Sequence, residues 1–366
     1  MRRKTRNFFL GQTGIGSEHR ITVQSMCNTR TADTDSTLAQ INRLAEAGCD
    51  IIRVSADSPA DVAALKTICA VSPLPVIADI QFSGESAIGA MLNGCAGVRV
   101  NPGIIHDKNL LEKIARTALE HNTVIRVGAN AGSLKLHRIG ELTSSGMEKN
   151  DAIALLLCEA VTEQCELLAG FGVTRIKAAV KSSDISVTLK AYRRFAASCD
   201  LPLHLGLTEA GTPAKGELRS AVAIGSLLAD GIGDTIRVSL TADPEAEIAA
   251  AKRILDACGI LNNSVEIISC PTCGRTEVDL ISLVTKVEEI IADMQKNNLP
   301  VRYRKIAVMG CPVNGPGEAR HADIGIAGSR NGQLVLFRHG EVIGAYSQPD
   351  GLKALLDLLS FHEKRK

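Results

Sequence analysis

The sequence predicts an α/β protein: a (β/α)8 TIM barrel over residues 1–260, followed by a smaller α+β domain over residues 261–366. Three observations predict it. Short β-branched runs alternate with amphipathic helical segments, the mark of parallel strands joined by crossover helices. Eight such runs fit within the roughly 250 residues that a closed barrel needs. Beyond residue 260 the alternation stops, and strands, one long helix and two cysteine-bearing turns follow. An open doubly wound sheet is the rival architecture. It loses ground because no Gly-x-Gly-x-x-Gly follows the first strand and no Walker-type lysine loop occurs.

The strands are expected at residues 20–26, 50–55, 74–80, 97–101, 123–128, 174–180, 202–207 and 234–240. The first helix, residues 36–47, places Leu38, Ile41, Leu44 and Ala45 on one face, with Ser36 at the N-cap and Gly48 at its end. The last barrel helix spans residues 243–257, and Asn262-Asn263-Ser264 reads as a linker. In the second domain a strand (265–269) precedes the first cysteine turn. A helix (277–296) buries Leu280, Leu283, Val284, Val287, Ile290, Ile291 and Met294 on one stripe. A strand (305–309) leads to the second cysteine turn. Segments 324–327, 333–338 and 341–346 read as antiparallel strands, the last two joined at His339-Gly340, and a helix (351–361) follows.

Composition excludes several classes. Aromatics are 3% of the chain and Trp is absent, against a base-stacking platform; net charge is +1, against a field that gathers nucleic acid. No apolar run reaches membrane-spanning length, and Phe8-Phe9-Leu10 is too short for a signal-peptide core, so the cytoplasm is expected. Of the 11 cysteines, Cys49, Cys69, Cys95, Cys158, Cys165, Cys199 and Cys258 lie among apolar or small residues and read as buried free thiols.

In a barrel, function collects where strands end. Those ends carry Gln24 to Thr29, Arg53, Asp79-Ile80-Gln81, Arg99 and Asn101, Arg126 with Asn130 to Ser133, Lys181 to Asp184, Thr208-Glu209 and Arg237 with Ser239. Basic groups recurring at one end of at least five strands suit an anionic ligand, and a diphosphate better than a lone carboxylate. The alternative is internal pairing with Asp79, Asp184, Glu209 and Asp234. His204 reads as a hydrogen-bonded interior histidine. Glu209 serves either as an acid/base or as an arginine's partner.

Cys270-Pro271-Thr272-Cys273 and Gly310-Cys311-Pro312 put three thiols on two turns. Thiolates suit an iron–sulfur cluster, or zinc with His321 as a fourth ligand; a redox dithiol lacks a thioredoxin-like context.

Several motifs match one known family. Gln24-Ser25-Met26-x-Asn28-Thr29, Arg99-Val100-Asn101-Pro102-Gly103, Arg126-x-Gly128-x-Asn130-x-Gly132-Ser133, Asp234-x-x-Arg237-x-Ser239, Cys270-x-x-Cys273-Gly274-Arg275 and Val313-Asn314-Gly315-Pro316-Gly317-Glu318 closely resemble 4-hydroxy-3-methylbut-2-enyl diphosphate synthase. The resemblance spans nearly the whole chain and implies one 4Fe–4S cluster on Cys270, Cys273 and Cys311, with Glu318 as a displaceable fourth ligand. It implies a cyclic diphosphate substrate held by Arg53, Arg99, Arg126 and Lys181, with Asn130, Ser239 and Asn314. Thr208 and Glu209 then lie near the reacting hydroxyls. Flavodoxin or ferredoxin would donate electrons, and two chains would pair head to tail. Gln81 stands where the family usually has His, and Cys27, expected as a small pocket-wall residue, where Thr is common.

Overall fold

The computed structural model describes residues 1–81, 83–105, 107–134, 136–261, 265–297, 299–313 and 318–360, with backbone alone for Leu136 and Glu318. The chain divides into two compact units, Met1–Ile260 and Leu261–Lys366.

In the first unit a hairpin of β1 (Phe8–Leu10) and β2 (Thr13–Ile15) precedes β3 (Thr22–Met26), α1 (Thr34–Glu46), β4 (Ile51–Ser55), α2 (Pro59–Val71), β5 (Val76–Asp79), α3 (Gly84–Leu92), β6 (Gly97–Val100), α4 (Lys108–Glu120) and β7 (Val124–Asn130). Then come α5 (Leu136–Ser144), α6 (Lys149–Gly170), β8 (Ile176–Lys181), α7 (Ile185–Ser198), β9 (His204–Leu205), α8 (Pro213–Ala229), β10 (Thr235–Ile236) and α9 (Pro244–Ala257). The eight parallel strands run in the order β8-β7-β6-β5-β4-β3-β10-β9, and a parallel bridge from Ala178 to Leu203 joins the two ends. This is the predicted barrel. The α5 helix is additional to the eight expected crossovers, and the hairpin was not expected.

The pleat sorts each strand into two sets. Val23, Ile52, Val54, Ala78, Val98, Val100, Ile125, Val127, Ala178 and Val180 belong to the apolar layer packed under the helices. The alternate positions face the interior. At one end Ile51, Ile77 and Val124 meet Phe8, Leu10 and Ile15, so the hairpin stops that end. Above them the interior is polar. Cys27 packs in the helix-side core rather than on a pocket wall.

Local chemistry sets the helix starts. Asp33, not Ser36, caps α1: its carboxylate accepts from the Ser36 amide, which lies at the third helical position. Ser58 and Asp61 form a reciprocal capping box at α2, with Pro59 in its first turn. The segment before β1 is tied to β10. Arg2 Nη2 lies 2.7 Å from Asp234 Oδ1, Thr5 Oγ1 donates to the same oxygen at 2.9 Å, and the Leu203 amide donates to the other at 2.7 Å.

The second unit holds β11 (Glu266–Ser269), α10 (Leu280–Lys296), β12 (Lys305–Met309), β13 (Ile324–Ser329), β14 (Gln333–Arg338), β15 (Glu341–Tyr346) and α11 (Gln348–Leu359). Its sheet runs β11 to β15 in order, parallel across β11-β12-β13 and antiparallel across β13-β14-β15. Leu280, Leu283, Val287 and Ile291 of α10 and Leu355 and Leu359 of α11 close its core. α10 starts three residues later than the expected 277: Asp279 caps it by accepting from the Ser282 amide, and the Glu277 amide instead donates to the Gly310 carbonyl at 2.8 Å. α11 starts three residues earlier than expected, capped by Ser347 with Pro349 in the first turn. The turn at His339-Gly340 stands, with φ of 49° and 82°.

Candidate functional site

Inside the barrel the polar layer begins with Asp79. Its carboxylate meets Arg99 Nη1 at 3.2 Å and Arg53 Nε at 3.7 Å, and accepts from Gln81 Nε2 at 3.2 Å. Burial pushes its pKa up, but Arg53, Arg99 and Arg126 outweigh that and hold it below the usual carboxylate range. Arg99 also donates to the Gly128 carbonyl at 3.0 Å. Arg126 is 3% exposed, and its Nε and Nη1 have no partner among the described residues. Burial, then Arg53 and Arg99, drive the Arg126 pKa well down; burial, then Arg126 and Arg237, do the same to Lys181. A side chain at position 206 would begin 2.4 Å from Lys181 Nζ, so glycine there makes room for the ammonium.

Part of the ion-pair alternative holds: Asp79 does serve Arg53 and Arg99. The rest does not. Asp184 caps α7 by accepting from the Val187 amide at 2.9 Å. Asp234 is taken by Arg2, and Glu209 is exposed. Arg237 pairs instead with Glu247 at 3.4 Å, a carboxylate on α9 that the strand pattern could not reveal. Cations therefore outnumber the carboxylates set among them. Such a surplus is costly to bury, and a polyanion with several acceptor oxygens would relieve it.

The remaining barrel candidates sit at the strand ends. Asn130 ends β7, and its carbonyl accepts from Ser133 Oγ at 2.7 Å. Ser239 is half-buried beyond β10. Thr208 is half-buried and its amide donates to the Ser182 carbonyl at 3.2 Å. Glu209 has φ of 54°, a left-handed conformation that costs a residue with a Cβ on the order of 1 kcal/mol. Such strain is common at reacting centres.

Two interior groups depart from expectation. His204 is fully buried, yet neither ring nitrogen has a hydrogen-bond partner among the described residues. Burial and then Lys181 drive its pKa well down, so the ring is neutral. Lys177 was not singled out. It is fully buried, donates to Thr235 Oγ1 at 3.3 Å, and burial followed by Arg126 lowers its pKa to about 7. Its signal was available: Lys177 and Lys181 are four apart on one strand and face the same way.

In the second unit β11 and β12 are parallel neighbours, with Ser269 opposite Val308. Both chains therefore leave the sheet at the same edge, and the cysteine turns lie side by side. The Gly310 amide donates to Cys270 Sγ at 3.3 Å. A Cβ at Gly310 would meet Thr276 Cγ2 at 2.9 Å, so glycine lets the turns touch. Cys273 is exposed, and hydrogen bonds from the Arg275 backbone hold its thiol below the ordinary value. Cys311 is buried. Among the described residues, no group of three or more His, Cys, Asp and Glu side chains is gathered as a metal site. Asn314 lies outside the described residues, and of Glu318 only the backbone is described, opening a 3-10 turn with His321. The donor chemistry nevertheless fits a soft metal: an N–H aimed at one sulfur and a thiol inclined to ionise are features of thiolate-held centres.

Comparison with known proteins decides the relationship. The family model for the GcpE TIM-barrel domain matches residues 5–252, and that for the GcpE protein C-terminal domain matches residues 266–360. The chain belongs to the GcpE family. It is 44% identical to a protein of Persephonella marina over 97% of both chains. It is 43% identical to one of Clostridium perfringens over 98% of this chain and 99% of that one. Each is named 4-hydroxy-3-methylbut-2-en-1-yl diphosphate synthase (flavodoxin), so the GcpE family is one of oxidoreductases. Dihydropteroate synthase from Stenotrophomonas maltophilia shares the barrel fold alone, at 13% identity and a TM-score of 0.50 over 69% of this chain and 98% of that one. No helix among the described residues is long and apolar enough to cross a membrane.

Proposed function

We propose that this GcpE-family chain reduces 2-C-methyl-D-erythritol 2,4-cyclodiphosphate to (E)-4-hydroxy-3-methylbut-2-enyl diphosphate and water, consuming two electrons. The observation that carries this reading is the buried Arg126 guanidinium, whose Nε and Nη1 have no hydrogen-bond partner among the described residues and which lies near Arg53, Arg99 and Lys181. Arg53, Arg99, Arg126 and Lys181 bind the two linked phosphoryl groups, with Asn130 and Ser239 as neutral donors. Removing anion charge from water in that setting strengthens each contact. Thr208 and Glu209 stand at the strand end where a substrate hydroxyl would project, Glu209 moving a proton and Thr208 orienting it. Gln81 donates to Asp79 and holds that carboxylate toward Arg99.

Cys270, Cys273 and Cys311, with Glu318 as an exchangeable fourth ligand, would hold a 4Fe–4S cluster. When bound, it supplies single electrons and a Lewis-acidic iron. The chain's own part is the Gly310 N–H on Cys270 Sγ, which would stabilise thiolate charge. Asn314 would contact substrate. Flavodoxin or ferredoxin is the electron donor, the assembly a head-to-tail homodimer, and the setting the cytoplasm.

The test is turnover of the cyclodiphosphate with a chemical reductant under argon, with iron and sulfide measured on the same sample. Product formation by brown protein with about four irons per chain supports the reading. A colourless zinc protein that leaves the substrate intact would sink it.

A further inference from the structure

A pair of cysteines in the first unit belongs neither to the basic interior nor to the cysteine turns. Cys69 lies in the last turn of α2, and Cys95 stands between α3 and β6. Their sulfurs are 3.5 Å apart. That is contact distance, and a disulfide needs the sulfurs about 1.5 Å closer. Other thiols are occupied differently. Cys49 Sγ donates to the Val23 and Ile51 carbonyls, Cys158 Sγ to Ala191 and Cys199 Sγ to Phe195.

The pair is also asymmetric. Cys95 is buried, whereas Cys69 is half-buried and lines a cavity of about 450 Å³ with Ser72, Pro73 and Gly94. Cys199 and Cys258 are likewise only half-buried, so the expectation of seven buried thiols fails at these three positions. The hydrogen bond from Cys95 lowers the Cys69 thiol, while the same contact and burial push Cys95 well up. The more accessible sulfur is thus the readier nucleophile, and the deeper one stays a protonated thiol beside it.

We infer that Cys69 and Cys95 form a peroxide-responsive dithiol, with Cys69 the attacking sulfur and Cys95 the resolving one. The Cys69 thiolate attacks one oxygen of a hydroperoxide. The O–O bond breaks, and with one proton taken up water or an alcohol leaves and Cys69 becomes a sulfenic acid. Cys95 then attacks the oxidised sulfur, its proton leaving with the hydroxyl as water, and an S–S bond forms. The peroxide gains two electrons and the two thiols lose them. The bond closes a loop between positions 26 apart, linking the end of α2 to the segment that enters β6. β6 carries Arg99. The cross-link would therefore stiffen the frame under one of the barrel's arginines and raise its resistance to heat.

The experiment treats the reduced, full-length protein with hydrogen peroxide under argon, blocks remaining thiols and maps peptides without reductant. The inference expects a peptide joining Cys69 to Cys95, lost on dithiothreitol treatment, with a matching rise in Tm. Cys95→Ser should leave Cys69 as a sulfenic acid that dimedone labels, and Cys69→Ser should show neither link nor label. Free, alkylatable Cys69 and Cys95 after peroxide in the unsubstituted chain would overturn the pairing. So would a dominant link between Cys69 and Cys49. Dimedone label on Cys95 in Cys69→Ser would overturn the order of attack. Links among Cys270, Cys273 and Cys311 are read separately on other peptides and do not bear on the pair.

Discussion

In the first unit the four candidate cations Arg53, Arg99, Arg126 and Lys181 stand on strands; in the second the candidate thiols stand on turns beyond strand ends. Arg53, Arg99 and Arg126 are fixed by ladder register, Arg99 opposite Arg126 and both in reach of Asp79, before any ligand arrives. Cys270, Cys273 and Cys311 have adjacent turns but, among the described residues, no common focus. The barrel holds its charges together against their repulsion, so its ligand should stabilise it. The cysteine turns touch one another, but among the described residues their side chains do not gather at one point, so a metal should organise them.

Removing a soft ligand tests that contrast most severely. Cys273→Ser should lower iron from about four atoms per chain to near background and abolish turnover, while the far-ultraviolet circular dichroism of the barrel stays unchanged. Retained iron would place the centre elsewhere. Next is Arg126→Ala. It should weaken substrate binding on the order of 100-fold, about 3 kcal/mol, yet raise the Tm of the ligand-free protein by removing an uncompensated buried charge. A fall in ligand-free Tm would mean that Arg126 is a structural partner. Inorganic pyrophosphate should raise Tm in the unsubstituted chain and much less in the variant.

The third test uses pH. The folded-state pKa of Lys177 is lowered to about 7 from an ordinary value of 10.5. Between these values the unfolded chain binds a proton that the folded chain does not, so this lysine makes stability rise with pH across that window. Below about 7 both states are protonated and its penalty is complete. Lys177→Met should flatten the rise in urea-unfolding free energy between pH 7 and pH 10 and stabilise most at pH 7. An unchanged slope would remove Lys177 from the interior charge balance. The smallest effect is expected at Glu209→Gly, where relief of the positive φ is offset by the freedom glycine adds to the unfolded chain, so stability should change by less than about 1 kcal/mol while turnover falls. Full turnover would deny Glu209 a chemical part.

Much of this was legible because period-two alternation survives in short buried strands. Arg99 lies between Val98 and Val100, and Arg126 between Ile125 and Val127, so each cation had to face away from the helices. Lys177 escaped because one lysine near a strand start resembles a solvated end. The β1–β2 hairpin escaped because each strand has three residues, too few to show a period. Asp33 and Ser36 are both good caps three apart, and composition alone does not choose between them. The cysteine spacing showed that the sulfurs can share a turn edge, which β11 and β12 provide. Spacing carries no information on whether they converge without metal.

The grip of Arg2 and Thr5 on Asp234 has a consequence for synthesis. The two sides of this contact are 232 positions apart. At ribosomal speeds of about 5–20 residues per second, the early segment waits on the order of ten to fifty seconds for its acceptor. During that interval the apolar hairpin beside it has the half-made barrel floor to rest on, but no final strand to lock it there. Translation stalls upstream of codon 234 should therefore lengthen the time for which Phe8, Leu10 and Ile15 are open to chaperones.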